Sequence, residues 1–500
     1  MELPLTPLDF LSRARRLFAD RVGVIDGDDS WTYGQLAERC DRLAHALKED
    51  LGVRPGQVVA WLCGNTHELL EAYYGVLLAG GVLLPLNIRL APAELRLQLD
   101  DSRAAALFRH PDHVAPEHPV RTVLLGQELE DLLAAQPATP VEPPPVDEHA
   151  PAEVFYTSGS TGTPKGALLS HRGLYLHAVH IALTMGLSGE DVVLHTIPLF
   201  HVNGWGTPHY VTGLGGVHVM LPRFEAGEVL RLIEAHRVTR LFLVPAMARM
   251  VLDHPSLAAR DLSSVKQISV GGAPTGLELL TELETAFGCE CICGYGMTES
   301  SPTLTRSLPK PGLPSSRRQR ATTGIPILGV DARVLGEGDV EVPWDGVTVG
   351  EVCARSNHVM IGYLGDQAAT EEVLRDGWLR TGDLAVVDGD GYITIVDRAK
   401  DLIVSGGENI SSVEVEHALA AHPAVREVAV VGAPDDRWGE VPRAFVSLMD
   451  GADVTQDELV AWARDRLGGF KVPRRIVFLD DLPKGGTGKI QKQVLRAHPS

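Results

Sequence analysis

Residues 157 to 166 read TSGSTGTPKG, a run made only of Gly, Ser, Thr, Pro and a single Lys. It follows the apolar residues Val154, Phe155 and Tyr156 and precedes ALLSHRGLYLHAVHIAL, an order that predicts a strand, a tight loop and a helix. Glycines let a backbone approach a phosphate and turn its amides inward, hydroxyls add short donors, and Lys165 supplies a cation. By composition alone the run equally reads as a flexible linker, yet a linker rarely sits between a buried strand and an apolar helix start. The spacing also departs from a Walker A loop, which needs Gly directly before its Lys and Ser or Thr directly after it. Here Pro164 precedes Lys165 and Gly166 follows it, and a proline has no amide to donate.

Outward from the loop, short apolar strands such as VVAWLCGN alternate with helical patterns such as WTYGQLAERCDRLAHAL, which argues for an α/β fold with mostly parallel sheets. Five hundred residues exceed one ordinary core, so a large multi-sheet N-terminal domain and a smaller one are expected. The apolar run VLLAGGVLLPL is short and broken by glycines and Pro85, so no membrane span is expected. MELPLTPLDF lacks the basic start and apolar run of a signal peptide, which points to a cytoplasmic protein. A formal net charge of −20 disfavours nucleic acid as a partner. Cys289, Cys291 and Cys293 alternate as they would on one strand face, a spacing unlike paired zinc ligands and consistent with burial.

Further along, LFLVPAMARMVL predicts a strand entering a helix, and QISVGGAPTG a strand ending in a glycine turn, where ligands of α/β sheets bind. The stretch DGWLRTGDLAVVDGDGYITIVDRAKDLI has hairpin character around its DGDG turn. GYGMTES offers Glu299, a hard carboxylate of the kind magnesium takes, although MTE equally reads as a helix cap. HTIPLFHVNGWGTPHY gathers His201, Asn203 and Trp205 among apolar residues, a pattern that packing alone also explains.

The decapeptide resembles the signature loop of the adenylate-forming superfamily, which includes acyl-CoA synthetases, luciferases and peptide-synthetase adenylation domains. GYGMTES, TGDL, DRAKD and PKGGTGKI extend the resemblance over nearly the whole chain. It implies an ATP site built from Thr157, Ser158, Gly159, Ser160, Thr161, Gly162 and Lys165, with Gly272, Ala273, Pro274, Gly294, Tyr295, Gly296, Met297 and Thr298 around adenine and the α-phosphate. It further implies Asp383 on the ribose, Arg398 beside the nucleotide, Glu299 on Mg²⁺, and Lys489 as a mobile catalytic lysine acting with Thr298, Glu299 and Lys165. The acyl pocket would take His201, Asn203, Trp205, Gly271 and Gly272; coenzyme A would meet Gly406, Gly407 and Trp438, with Arg443, Lys471, Arg474 and Arg475 as phosphate partners. The same resemblance implies an N-terminal domain over residues 1–397, a hinge at 398–400 centred on Lys400, and a C-terminal α+β lid over 401–500.

The implied reaction is the ATP-dependent joining of a carboxylic acid to CoA through an acyl-AMP. Relatives that activate amino acids carry an Asp where His201 follows Phe200, and without it a buried ammonium would be costly. HVNGWG is most similar to medium- and long-chain fatty acyl-CoA ligases, and aryl-acid ligases carry similar text. No fixed cation is evident nearby for a second carboxylate. A stand-alone adenylation enzyme loading a carrier protein, a luciferase-type oxygenase and an inactive paralogue are the alternatives, the last opposed by the presence of Glu299, Asp383 and Lys489. A homodimer is compatible with the sequence.

Overall fold

The computed structural model of the chain describes residues 3–157, 164–313, 316–405, 408–435, 437–485 and 490–498. It has the expected α/β class and separates into two compact units, Met1–Ala332 with Ala354–Leu379, and Arg333–Cys353 with Arg380–Ser500.

The first unit carries two large sheets. In the nine-stranded one, Val192–Leu194, Arg240–Leu243, Gln267–Val270 and Glu290–Gly296 lie side by side and parallel. Helices cover the Ile268, Val270, Cys291 and Cys293 side, where Leu230, Ile233, Leu280 and Leu283 form a buried core. Cys291 and Cys293 are thus packing residues, as their alternation suggests. In the seven-stranded sheet, Val58–Leu62 is buried at every position, as a central parallel strand must be. Its core is closed by the helices Tyr33–Glu49 and His67–Leu78, the first held by a capping box between Thr32 and Gln35.

The flanks of TSGSTGTPKG differ from expectation. Pro151–Thr157 is a strand, but Lys165–Ser170 is a second strand antiparallel to it, with Thr157 opposite Lys165 and Tyr156 opposite Gly166. The helix begins only at His171, where Ser170 accepts from the Gly173 amide and caps it. ALLS is drawn into the sheet because Ala167 and Leu169 enter one buried core and Leu168 packs against another. The run joins a strand pair.

In the second unit, the strand Trp378–Val387, from Arg380 on, and Ile393–Arg398 form the expected hairpin, with Asp388 accepting from the amides of Asp390 and Tyr392 at the DGDG turn. The strands Ile403–Ser405, Val425–Asp435, Gly439–Leu448 and Arg475–Phe478 pack with the helices Ser412–Ala420 and Gln456–Arg464 around Val415, Leu419, Val430 and Leu459. Residues 398–400 lie inside this unit, where the second hairpin strand ends at Arg398. Among the described residues no helix is long and apolar enough to cross a membrane.

Candidate active site

Three parallel strands of the nine-stranded sheet deliver their carboxyl ends together: Arg240–Leu243, Gln267–Val270 and Glu290–Gly296. Beyond the second lies the turn of Gly271, Gly272, Ala273 and Pro274; beyond the third lie Met297, Thr298 and Glu299. Trp205 reaches this edge. A Cβ on Gly271 would stand 3.1 Å from the indole Cη2 and 3.3 Å from the Gly294 carbonyl, so a side chain there would fill the gap between turn and ring. Gly272 sits at φ +79°, a region that favours glycine. The indole meets Phe242 edge-on, with centroids 6.1 Å apart at 89°. The structure therefore brings Trp205, Gly271 and Gly272 together.

Trp205 is presented by a backbone feature with no counterpart in the sequence reading. Val202, Asn203, Gly204, Trp205 and Gly206 all have positive φ, from 38° to 87°, making a left-handed turn. Such a conformation costs about 1–2 kcal/mol for each residue bearing a Cβ. Packing holds it: a Cβ on Gly204 would lie 2.8 Å from Leu199 Cδ2, and one on Gly206 2.8 Å from His177 Cε1. Asn203 is fully buried. Its Nδ2 donates to Glu153 Oε2 at 2.9 Å, and the other oxygen of this fully buried carboxylate pairs with His209 Nε2 at 2.8 Å. Asn203 is a strut for the turn, because a buried carboxylate needs donors on both oxygens. His201 precedes the turn and is half-buried.

Glu299 lies in a single 3₁₀ turn, Thr298–Ser300, and is 6% exposed. Its Oε1 accepts from the Tyr363 hydroxyl at 2.8 Å, and the Lys165 ammonium lies 5.4 Å from the centroid of the same ring. Ammonium, ring and carboxylate thus follow one another. Burial and the Glu299 charge push the Tyr363 phenol far up, so it stays a neutral donor. The positioning is by sheet register: Tyr363 lies opposite Ala167, and the Leu364 amide donates to the Gly166 carbonyl. A second clamp is His358, whose Nδ1 bonds the Ser300 carbonyl at 2.8 Å while the Met360 amide donates to the Glu299 carbonyl. Burial pushes the His358 imidazole down to about 4, so it is neutral and Nδ1 carries the proton. Neither Tyr363 nor His358 was singled out in the sequence; both lie in GEVCARSNHVMIGYLG, which reads only as strands.

In the second unit Asp383 and Arg398 are register partners, with Arg398 Nε 3.3 Å from Asp383 Oδ1. Lys400 is exposed; its carbonyl accepts from Arg496, which also pairs with Asp401 at 2.6 Å. The Trp438 amide donates to Asp435, and the Arg437 guanidinium lies 4.7 Å from the indole centroid. Two of the expected phosphate partners are committed within this unit. Lys471 binds both oxygens of Glu414, and the buried Arg443 donates to the carbonyls of Leu495 and Arg496. Arg474 and Arg475 are exposed. Ser158, Gly159, Ser160, Thr161, Gly162, Gly406, Gly407 and Lys489 lie outside the described residues.

The donor set fits Mg²⁺ and a nucleotide phosphate. Glu299 is a nearly buried hard carboxylate, Lys165 a cation at the mouth of the glycine-rich run, and the Gly271–Gly272 turn leaves open the room a Cβ would fill.

Comparison with known proteins identifies the family. The family model described as AMP-binding enzyme matches residues 11–364, and that of the AMP-binding enzyme C-terminal domain matches residues 414–489. Feruloyl-CoA synthase of Amycolatopsis sp is 40% identical over 490 residues, covering 97% of each chain. The peroxisomal trans-cinnamate:CoA ligase of Petunia hybrida is 33% identical over 539 residues, covering 99% of this chain and 94% of that one. Among solved structures, an anthranilate CoA ligase in complex with anthranoyl-AMP superposes with a TM-score of 0.90 at 27% identity, covering 99% of this chain and 98% of that one. The o-succinylbenzoate CoA synthetase of Bacillus subtilis, with its acyl-adenylate intermediate, gives 0.88 at 31%, covering the same shares.

Proposed function

The chain belongs to the AMP-binding enzyme family, and from that premise we propose that this acid:CoA ligase, which uses ATP, CoA and Mg²⁺, activates an aromatic carboxylic acid. The observation that carries the reading is the Trp205 indole set against the Gly271–Gly272 turn and meeting Phe242 at 89°, so that aromatic surface borders the turn. The relatives named above support it, since their names specify ferulate, trans-cinnamate, anthranilate and o-succinylbenzoate. The expectation of a medium- or long-chain fatty acid has no counterpart among them.

In the first half-reaction the substrate carboxylate attacks the α-phosphorus of ATP and pyrophosphate leaves; in the second the CoA thiol attacks the acyl-AMP carbonyl and AMP leaves. The first step brings two anions together, so the protein's contribution is positioning and charge compensation. Glu299 would hold Mg²⁺, which would supply charge neutralisation at the phosphates. Lys165 adds a cation on the phosphate side, Thr298 a hydroxyl donor toward the α-phosphate, and Lys489 an ammonium that bridges carboxylate and α-phosphate. Tyr295 would serve adenine, and Asp383, whose Oδ1 lies 3.3 Å from Arg398 Nε, would accept from the ribose hydroxyls. The swivel between the half-reactions is assigned to Lys400, and the CoA side to Gly406, Gly407 and Trp438.

The test is pyrophosphate release, with and without CoA, across benzoate, cinnamate, octanoate and palmitate. The expected kcat/KM for the better aromatic acid exceeds that of either alkanoate by about tenfold or more. An alkanoate preferred over both aromatic acids would overturn the assignment.

A further inference from the structure

Among the described residues Arg306 is a buried cation with no acid paired to it. It is 4% exposed, and among the described residues no carboxylate lies within ion-pairing distance of it. One nitrogen donates to the Ser269 hydroxyl, and among the described residues its Nε has no partner. Arg240, a neighbouring cation, has its own carboxylate in Asp191 at 2.9 Å. Burial pushes the Arg306 guanidinium down to about 10, which leaves it charged at neutral pH. The Tyr210 hydroxyl, within electrostatic reach of Arg306, is also buried and unpartnered. Two buried donors within electrostatic reach of each other, both without partners among the described residues, are costly unless something accepts from them.

Their position says what that is. Ser269 is the register partner of Phe242, so the two side chains share one face of the sheet, and Phe242 meets Trp205 edge-on. Arg306 is the register partner of Gly294; a Cβ on Gly294 would lie 3.6 Å from Arg306 Nη1, and the Gly294 carbonyl borders the gap between Gly271 and Trp205. Tyr210 and Phe242 belong to one buried cluster against which Trp205 packs. By two routes, therefore, the guanidinium stands next to the aromatic wall.

Resting on the aromatic-acid reading, we infer that Arg306, with Tyr210, recognises an oxygen acceptor at the end of the acid remote from its reacting carboxyl, a phenolic hydroxyl or a second carboxylate. A plain alkyl or unsubstituted aryl terminus would bury the cation further without pairing it. Sequence reading found no fixed cation near HVNGWG because Arg306 is about a hundred residues away and reaches the region through the pairing of Thr303–Arg306 with Glu290–Gly296.

Four matched acids test this: cinnamate and its 4-methyl, 4-hydroxy and 4-carboxy derivatives, with pyrophosphate release and acyl-CoA formation measured for the wild type, Arg306→Lys and Arg306→Met. The wild type should favour the 4-hydroxy or the 4-carboxy acid over the 4-methyl acid by about tenfold in kcat/KM, as expected for a site with unpaired polar groups. Whichever oxygen acid leads identifies phenol or dicarboxylate. Arg306→Met should erase or invert the ratio, and Arg306→Lys should keep its sign. A wild type that accepts the 4-methyl acid equally well overturns the inference, and so does an Arg306→Met variant that slows all four acids by one common factor. Should Arg306→Met fail to fold, the wild-type series and Arg306→Lys decide. Aromatic turnover insensitive to the 4-substituent defeats this inference alone; no pyrophosphate from any aromatic acid, alongside turnover of alkanoates, defeats the aromatic-acid reading as well.

Discussion

Tyr363 stands between a cation and a carboxylate, donating to Glu299 while its ring faces Lys165. A partner that orients a metal-binding carboxylate typically controls metal affinity by tenfold or more. Tyr363→Phe should therefore raise the Mg²⁺ concentration for half-maximal pyrophosphate release about tenfold, leaving the KM for the acid nearly unchanged. A magnesium titration identical to wild type would show that the phenol only packs. At this scale the sequence was informative where residue type and chemistry coincide: Glu299 in GYGMTES and Asp383 in TGDL both sit in tight, hydrogen-bonded turns or hairpins. It was silent on Tyr363 because the partner of Glu299 is fixed by the register of Gly362–Tyr363 on Lys165–Ser170, a pairing across the sheet that no local spacing reveals.

Whole elements are held by buried imidazoles kept neutral. His358 clamps the Glu299 turn, with His177 and His180 at ring distances of 5.3 and 5.6 Å, and the His177 Nε2 accepts from the Thr303 amide. Burial holds His358 down to about 4 and His195 down to about 3, and pushes His177 and His218 down as well. In the unfolded chain these groups take up protons near their ordinary value of about 6.5, so the unfolded state binds more protons between about 6.5 and 4 and stability falls as pH falls through that window. Each group contributes up to about 1.4 kcal/mol per pH unit there. Urea unfolding followed at pH 7, 6 and 5 should show steeply declining stability, and His358→Gln should make the decline shallower; equal stability at all three values would contradict the burial of neutral rings. Element types were largely legible, since period and turn residues mark the strand Gln267–Val270, the hairpin at DGDG and the helix after Thr32. Two features were not. Strand Lys165–Ser170 was read as helix because its apolar run is short and helical text follows at once, and the left-handed turn at 202–206 depends on contacts with Leu199, His177 and Glu153 rather than on local preference.

For the molecule as a whole, we propose that a change of conformation at Lys400 separates the two half-reactions. A swivel there has to release the bonds that tie residues 396 and 397 to the helix Ser412–Ala420: the Ser411 hydroxyl on the Val396 carbonyl, and the Ser412 amide on Asp397. Proline fixes φ near −65° and restricts the residue before it. Lys400→Pro should therefore leave the pyrophosphate burst near wild type and abolish thioester formation, whereas Lys400→Ala should change both little. Wild-type rates of both steps in Lys400→Pro would move the hinge elsewhere. The two-part organisation was legible from the motifs, but the grouping of Arg333–Cys353 with the C-terminal residues was not, because it follows from long-range pairing with Trp378–Val387. The central claim, that this chain joins an aromatic acid to CoA through an acyl-adenylate, is tested most directly by a single-turnover experiment with excess enzyme, ATP and 4-hydroxycinnamate, CoA being added only after pyrophosphate has been measured. The account expects pyrophosphate and enzyme-bound aryl-AMP in equal amounts before CoA, then their conversion to aryl-CoA and AMP. No pyrophosphate before CoA, or an adenylate that CoA does not consume, would contradict it.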